Sequence, residues 1–251
     1  MNWIGLYYLS RREVMRFLTT INQMLLPPII SAGLYLLIFH FVIGERMMQG
    51  VPYIEFLLPG LIMMTVISAA FSNSSGSLFF SKWLKHFEYY LSLPFSYLEL
   101  TLAYVIGAIG RGVVTGLGIT IVALLFVHTG IHNVFVLLLY FLLSCVVFGS
   151  LGIIAALWAS DWEGLGIFTT FIISPLTMLG GVFYSIETLP PVFQMVTLFN
   201  PIFYFVDGFR YGMLGVHDHS LLFGFGVCFV FALLSFFLAM LLMKKGWKVR
   251  C

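Results

Sequence analysis

Six long apolar runs dominate the chain, and each is about as long as a membrane is thick. The runs cover residues 25–43, 54–71, 100–127, 134–159, 165–184 and 221–243. A helix needs about 20 mainly apolar residues to cross a hydrocarbon core of ~30 Å. Inside lipid a helix satisfies its own backbone hydrogen bonds, which an irregular chain cannot do. The sequence therefore predicts an all-α membrane protein with six transmembrane helices.

The composition supports the same interpretation. Of the 251 residues, 61% are hydrophobic and only 9% are charged, whereas soluble domains carry roughly 25% charged residues. So few charges cannot cover the surface of a water-soluble protein of this size. The net charge of +2 is too small to indicate a nucleic-acid partner.

An apolar segment between the fifth and sixth runs does not fit a span. Residues 185–215 contain Pro190, Pro191 and Pro201. Prolines interrupt helices, so the segment divides into pieces too short to cross. Backbone that bends at membrane depth must be enclosed by protein or line a wet cavity. We therefore expect residues 185–215 to form an extracytoplasmic re-entrant hairpin before the last span.

Lysine and arginine are distributed unevenly between the connections, and this asymmetry predicts the orientation. If the N-terminus is cytoplasmic, the outer side holds only Arg46 and Arg210. The cytoplasmic side then holds Arg11, Arg12, Arg16, Lys82, Lys85, Lys244, Lys245, Lys248 and Arg250. The positive-inside rule favours this arrangement. Six spans return the C-terminus to the same side, so both termini are expected in the cytoplasm, as in a bacterial inner-membrane protein.

Arg111 is a charged residue inside the third run. It lies toward the inner end of the predicted span, where an arginine can extend to the lipid headgroups. Its position is compatible with a structural role and equally with a functional one.

The first twenty residues mix aromatic, aliphatic and basic side chains. Trp3, Tyr7 and Phe17 alternate with Arg11 and Arg16. Such a mixture is typical of a helix in the headgroup layer. We expect residues 1–20 to form an amphipathic interfacial helix; the alternative is a frayed tail.

The longest predicted cytoplasmic connection, residues 72–97, begins with a run of small polar residues at 72–77. A helix over 81–92 would carry an aromatic and apolar face of Trp83, Phe87, Tyr90 and Leu91, with Lys82, Lys85 and Glu88 elsewhere. Such a helix can fill a groove on a soluble partner. Alternatively, it rests on its own membrane surface.

The chain carries no motif of its own for ATP chemistry. It has neither a Gly-x-x-x-x-Gly-Lys-Ser/Thr loop nor a Gly-x-Ser-x-Gly turn. Its three cysteines lack the spacing of a metal site or a disulfide framework. We therefore expect no catalytic residue, no bound cofactor and no metal. ATP-driven work would require a separate chain.

Three segments resemble the ABC-2 type transporter permeases, and in particular the small bacterial YadH-like members. These segments are Leu189-Pro190-Pro191 through Asn200-Pro201 to Asp207-Gly208-Phe209-Arg210-Tyr211-Gly212, Pro175 through Gly180-Gly181 to Ser185, and Phe56-Leu-Leu-Pro59-Gly60. The resemblance implies a homodimeric permease in contact with membrane lipid and paired with a separate ATP-binding cassette ATPase that binds the ATP.

The resemblance also implies roles for the segments described above. The 81–92 helix would couple to the ATPase, and spans one, two and five would line the path. An exit element near the hairpin would include Pro190, Pro191, Asn200, Pro201, Asp207 and Arg210. Such permeases mostly export lipid-linked polysaccharides, lipids or hydrophobic drugs, and the sequence does not choose among these.

Two other functions stay open at the level of sequence. A membrane-embedded lipid-modifying enzyme would need ionisable groups gathered at one depth. The candidates are Glu55, Asp207, Arg210 and His217, and Asp207 could instead pair with Arg210 one helical turn away. A non-transporting membrane scaffold would also suit a docking helix.

Overall fold

The computed structural model describes residues 3–44, 46–86, 93, 95–127 and 130–246. These residues form helices, apart from one hairpin of strands β1 (Met47–Met48) and β2 (Val51–Pro52) and the connecting turns. The helices are α1 (Trp3–Thr19), α2 (Ile21–Ile43), α3 (Tyr53–Trp83), α4 (Tyr97–Ala123), α5 (Val134–Trp158), α6 (Trp162–Ile167), α7 (Ser174–Met178), α8 (Pro191–Phe199), α9 (Pro201–Leu214) and α10 (Leu221–Lys244).

Five of these helices, α2, α3, α4, α5 and α10, are long and apolar enough to cross a membrane, and each overlaps a predicted span. The bent pair α8–α9 would count as a sixth if it formed one span. In the most apolar stretch of each helix, 72% of the residues of α3 are buried, against 11% in α2 and 22% in α10. Helix α3 is therefore the central helix, and the others surround it.

The predicted fifth span, residues 165–184, is a composite helix in the structure. Helix α6 continues through a π-helical turn, Phe168–Ile173, directly into α7. Pro175 cannot donate a backbone hydrogen bond to the preceding turn, and the wider π turn accommodates this loss. The helix ends at Met178, before the predicted limit, and the chain then turns through Gly181, which adopts a φ of 71°.

Helix α3 is longer than the second predicted span, which covered residues 54–71. The run Ser72–Ser77 was expected to open a cytoplasmic connection, and this expectation is wrong. The run lies inside the helix, and Asn73 and Ser74 are fully buried there. Ser74 donates to the Tyr104 carbonyl at 3.3 Å. Small polar side chains can enter a tight helix contact when their hydroxyls find carbonyl acceptors.

Polar side chains fix where several helices begin. Ser96 and Glu99 form a reciprocal cap at the start of α4, with bonds of 3.2 and 2.9 Å. Asn133 accepts from the Val136 amide before α5, and Asp161 accepts from the Gly164 amide before α6. These caps satisfy amides that the first helical turn leaves free.

Helix α1 buries one face against α4. Its buried residues include Leu6, Leu9 and Phe17, spaced as one helical stripe, whereas Trp3 and Tyr7 are exposed. A side chain at Gly110 would meet the Phe17 ring at 3.3 Å. Helix α1 therefore packs closely along the middle of α4.

Two glycines bring α9 close to α5. A Cβ atom at Gly208 would lie 2.2 Å from the Tyr140 ring, and one at Gly212 would lie 2.6 Å from the Leu137 backbone nitrogen. The Gly-x-x-x-Gly spacing places both on the face of α9 that meets α5.

We predict that Gly208→Ala destabilises the protein by about 1–3 kcal/mol, the usual cost of overpacking. Tyr140 cannot move freely because its hydroxyl donates to the Leu221 carbonyl at 2.9 Å. The matched control is Gly226→Ala in α10, where a Cβ atom meets nothing within 4 Å. Unfolding of each purified variant in a detergent titration measures the effect. Equal stability of the two variants would contradict the packing argument.

Candidate functional site

An aromatic cluster, Phe79, Phe80, Trp83 and Trp162, joins the C-terminal end of α3 to the start of α6. The Trp162 ring lies 5.4 Å from Phe79 and 5.0 Å from Phe80, and Phe80 lies 6.5 Å from Trp83. Trp83 is 70% exposed and Trp162 is 54% exposed. Large aromatic side chains left uncovered at a helix end are available to a partner or to lipid.

Lys82, predicted to contact a partner, is instead buried. Its ammonium donates to the carbonyls of Ala156, Leu157 and Ala159 at 2.9, 3.3 and 3.4 Å. These carbonyls end α5 and lack helical donors, so the positive charge is favourable there. Lys82 therefore fastens the end of α3 to the end of α5.

The predicted helix over residues 81–92 does not begin at residue 81, because residues 81–83 still belong to α3. Helix α3 ends at Trp83, and Lys85 has a φ of 57°, which breaks the helical path. Phe87, Glu88, Tyr90 and Leu91 lie outside the described residues. Of the predicted contact residues, the structure therefore places only Trp83 and Lys85 at an accessible helix end.

The hairpin contains a sharp corner between α8 and α9, whose axes differ by 89°; Pro201 lies at this corner, whereas Pro190 and Pro191 lie at the other end of α8. Pro190 precedes α8, and Pro191 and Pro201 occupy the first turns of the two helices. Asn200 accepts from the Ile202 amide at 3.0 Å and donates to the Leu176 carbonyl at 2.6 Å. The corner is thus capped by Asn200 and tied to α7.

Arg210 is fully buried near the start of α3. Its guanidinium donates to the Gly181 carbonyl at 2.6 Å and to the Phe56 carbonyl at 3.4 Å. It also lies 3.8 Å above the Phe56 ring, a favourable position for a cation. Arg210 therefore joins α9 to α3 and to the glycine turn after α7.

Asp207 and Arg210 attract each other electrostatically, but the direct ion pair suggested between them is made instead by Asp218. Arg210 lies 3.7 Å from Asp218, which belongs to the loop before α10. Asp207 accepts instead from the backbone amides of Asp218 and His219, at 2.7 and 3.2 Å. The loop before α10 folds back over α9. Asp207 therefore bonds to the Asp218 amide, eleven positions along the chain, and not to Arg210 in the next helical turn.

Residues that the sequence did not single out complete this network. Gln49, from the turn between β1 and β2, donates to Asp218 at 2.7 Å, and the Ser185 hydroxyl donates to the same carboxylate. Single polar residues in separate loops carry no spacing signal, so only the fold brings them together. Three connections thereby converge on one buried ion pair.

No group of three or more histidine, cysteine or acidic side chains able to hold a metal occurs within residues 3–44, 46–86, 93, 95–127 and 130–246.

Comparison with known proteins gives these features a context. The family model of the ABC-2 type transporter matches residues 5–214. The chain belongs to the ABC-2 type transporter family. It is 36% identical to the inner membrane transport permease YadH of Escherichia coli strain K12, over 99% of this chain and 98% of that protein. It is 25% identical to Nodulation protein J of Rhizobium meliloti strain 1021, over 97% and 93% of the two chains.

Family membership and the apolar helices together make this ABC-2 chain a multi-pass inner-membrane permease. Membership also implies an ATP-binding cassette ATPase as partner. The permease is the transmembrane subunit of such a transporter and is not in itself an enzyme.

We predict that Arg210→Gln destabilises this permease by about 3–5 kcal/mol, because it leaves the Asp218 carboxylate buried without its counter-charge. The control Arg46→Gln removes an exposed arginine from the same end of the molecule and should cost little. Unfolding in a detergent titration measures both variants.

The double variant Arg210→Gln/Asp218→Asn tests the pairing itself. Because both charges are removed, its cost should be smaller than the sum of the two single variants. Strictly additive costs would show that the two side chains do not act on each other.

Proposed function

We propose that two copies of this permease form the membrane channel of an exporter, with ATP hydrolysed by a separate ATPase subunit. The substrate is a lipid-linked, polysaccharide or hydrophobic molecule that moves outward across the inner membrane. The observation that supports this most is the family match over residues 5–214, combined with an uncovered aromatic surface at the end of α3.

The proposed topology places both termini in the cytoplasm. Six helices are proposed to cross the membrane: α2, α3, α4, α5, α10 and the composite helix α6–α7. The pair α8–α9 enters the membrane and returns to the same side. The composite helix runs from Trp162 to Met178, about 25 Å at 1.5 Å per residue, which nearly spans the core. The lysines and arginines near the end of α3 then lie inside, as the positive-inside rule requires.

Helix α1 is proposed to lie in the inner headgroup layer. Its exposed side carries Trp3, Ile4, Tyr7 and Tyr8, all more than half exposed, and its other side packs on α4. Aromatic rings favour the membrane interface. An interfacial α1 beside the end of α3 would lie next to the ATPase.

Helices α8 and α9 are proposed to form the re-entrant exit element. Helix α8 exposes Val192, Phe193, Met195 and Phe199, an apolar surface that suits lipid. Helix α9 is almost wholly buried and carries the Arg210 network. The bend at Asn200 therefore separates a lipid-facing helix from a protein-enclosed one.

Coupling to the ATPase is proposed to use the end of α3 and the residues that follow it. Trp83, Leu84 and Lys85 form an exposed aromatic and basic surface, and Trp162 extends it from the next connection. Lys82 ties this surface to α5, so force applied here would reach two central helices as a rigid-body motion.

A lipid-modifying enzyme has less support from the geometry. Asp207 accepts from two backbone amides, and Arg210 donates to two backbone carbonyls. Glu55 instead lies in a separate groove of about 280 Å³ beside His132. The ionisable groups thus do not face one cavity, which such an enzyme would need.

We predict that Trp83→Ala lowers the amount of ATPase that copurifies with the tagged permease by about tenfold, as expected for an aromatic anchor contributing ~1.4 kcal/mol or more. The matched control is Phe41→Ala, because Phe41 is similarly exposed, at 76%, and lies near the outer end of α2, away from the proposed ATPase side. Replacing Phe87 and Glu88 should have the same effect as Trp83→Ala. Membrane insertion should be unchanged throughout. Full ATPase recovery with all of these variants would contradict the coupling surface.

A further inference from the structure

A groove between α2, α3 and α4 contains an arginine that points at no protein acceptor. The groove has a volume of about 320 Å³. Its polar lining consists of Gln23 from α2, Thr65, Ser68 and Ser72 from α3, and Arg111 from α4. The three α3 residues lie at helical spacing on the stripe of that helix that is not fully buried.

Arg111, which is half-buried, differs from the half-buried Arg16 and the fully buried Arg210. Arg16 bonds to Asn73 at 2.9 Å and Arg210 bonds to Gly181 at 2.6 Å. Arg111 makes no hydrogen bond or ion pair with any described residue, and its Nε atom is buried without an acceptor. A half-buried guanidinium whose Nε lacks an acceptor is unfavourable, so a ligand that supplies the acceptor would stabilise the site.

The charges near Arg111 leave a positive excess. Arg16 lies close enough to Arg111 to repel it electrostatically. The Glu13 carboxylate lies 3.6 Å from Arg16 and 3.7 Å from Arg12, and it accepts from the Ser77 hydroxyl at 2.6 Å. Glu13 therefore offsets charge on α1, whereas Arg111 is the arginine that lines the groove. An anion in the groove would be attracted chiefly by Arg111.

The groove also offers neutral donors and an apolar wall. The Gln23 amide and the Ser72 hydroxyl line the groove and can donate to a ligand. Thr65 and Ser68 instead donate to carbonyls of their own helix. Met24, Pro27 and Pro28 form the apolar part of the α2 wall. Donors beside an apolar wall suit a molecule with a charged head and a hydrocarbon tail.

The depth of the groove fits such a molecule. Gly110, the residue before Arg111, packs against Phe17 and Val14 of α1. If α1 lies in the inner headgroup layer as proposed, its contact with Gly110 places Arg111 in the inner half of the membrane, within reach of the inner headgroups. An anionic head could then bind Arg111 while its chains remain in the lipid.

We propose that this groove binds the phosphate-bearing head of an anionic amphiphile, with Arg111 as the charged ligand and Gln23 and Ser72 as neutral donors. The role of the bound molecule, as a substrate or a regulator, rests on the proposed transport function. Its binding depends on the groove alone.

Native mass spectrometry of the full-length permease, released from micelles of a neutral detergent, tests the binding. The probes are phosphatidylglycerol and a diacylglycerol with the same acyl chains and no phosphate. We expect phosphatidylglycerol to bind about tenfold more weakly to Arg111→Gln than to the wild type, a change of about 1.4 kcal/mol. Arg111→Lys should retain part of the affinity, and diacylglycerol binding should be weak in every variant.

The matched control is Arg11→Gln, which removes an exposed arginine from α1 and should leave phosphatidylglycerol binding unchanged. Equal losses in Arg11→Gln and Arg111→Gln would overturn the proposal, because they would indicate only a general charge effect. Equal wild-type affinity for the two lipids would overturn it as well.

Competition with inorganic phosphate distinguishes a lipid head from a free anion. We expect millimolar phosphate to leave the lipid bound, since the apolar wall contributes to affinity. Displacement of the lipid by millimolar phosphate would overturn the proposal of an amphiphile and would indicate that the groove binds a free anion. Copurification of the ATPase with Arg111→Gln should remain at the wild-type level. A lack of ATPase in the wild type would count against the proposed transporter and not against the groove.

Discussion

The close contact between α3 and α5 is the interaction on which the rest of the helix arrangement depends. A Cβ atom at Gly152 of α5 would lie 2.5 Å from the Phe71 carbonyl of α3, so only glycine permits this approach. In lipid no hydrophobic effect drives helices together, and close packing between small residues has to replace it. The buried serines that follow Phe71 continue the same contact, and Lys82 closes it by binding the carbonyl end of α5.

At the other end of α3, near its start, a buried ion pair and its hydrogen bonds hold the helices together, in place of small residues. Arg210 connects α9, the start of α3 and the turn at Gly181, and Asp218 brings in the loop before α10. The α8–α9 corner is thereby fixed relative to the central helix. Between these two fixed ends, the less buried stripe of α3 carries Thr65, Ser68 and Ser72.

Sequence reasoning predicted the long helices well, because twenty apolar residues in succession have few alternatives in a membrane. It misjudged Ser72–Ser77, because polarity on a hydropathy scale does not distinguish an aqueous loop from a tight helix contact. It could not find Asp218 or Gln49, whose role depends on loops meeting in space. Lys82 looked like a surface charge, and only the position of the α5 carbonyls shows why it is buried. The ATPase-facing residues Phe87, Glu88, Tyr90 and Leu91 stay predictions.

The central claim is that the end of α3 meets an ATPase subunit in the cytoplasm, and photo-cross-linking in living cells tests it most directly. A benzophenone amino acid at position 83 keeps an aromatic group on the exposed surface, and the same probe at position 41, near the outer end of α2, serves as the control. A covalent adduct with an ATP-binding cassette ATPase is predicted from position 83 and none from position 41. Adducts of position 83 with lipid alone, in cells that assemble the transporter, would contradict it.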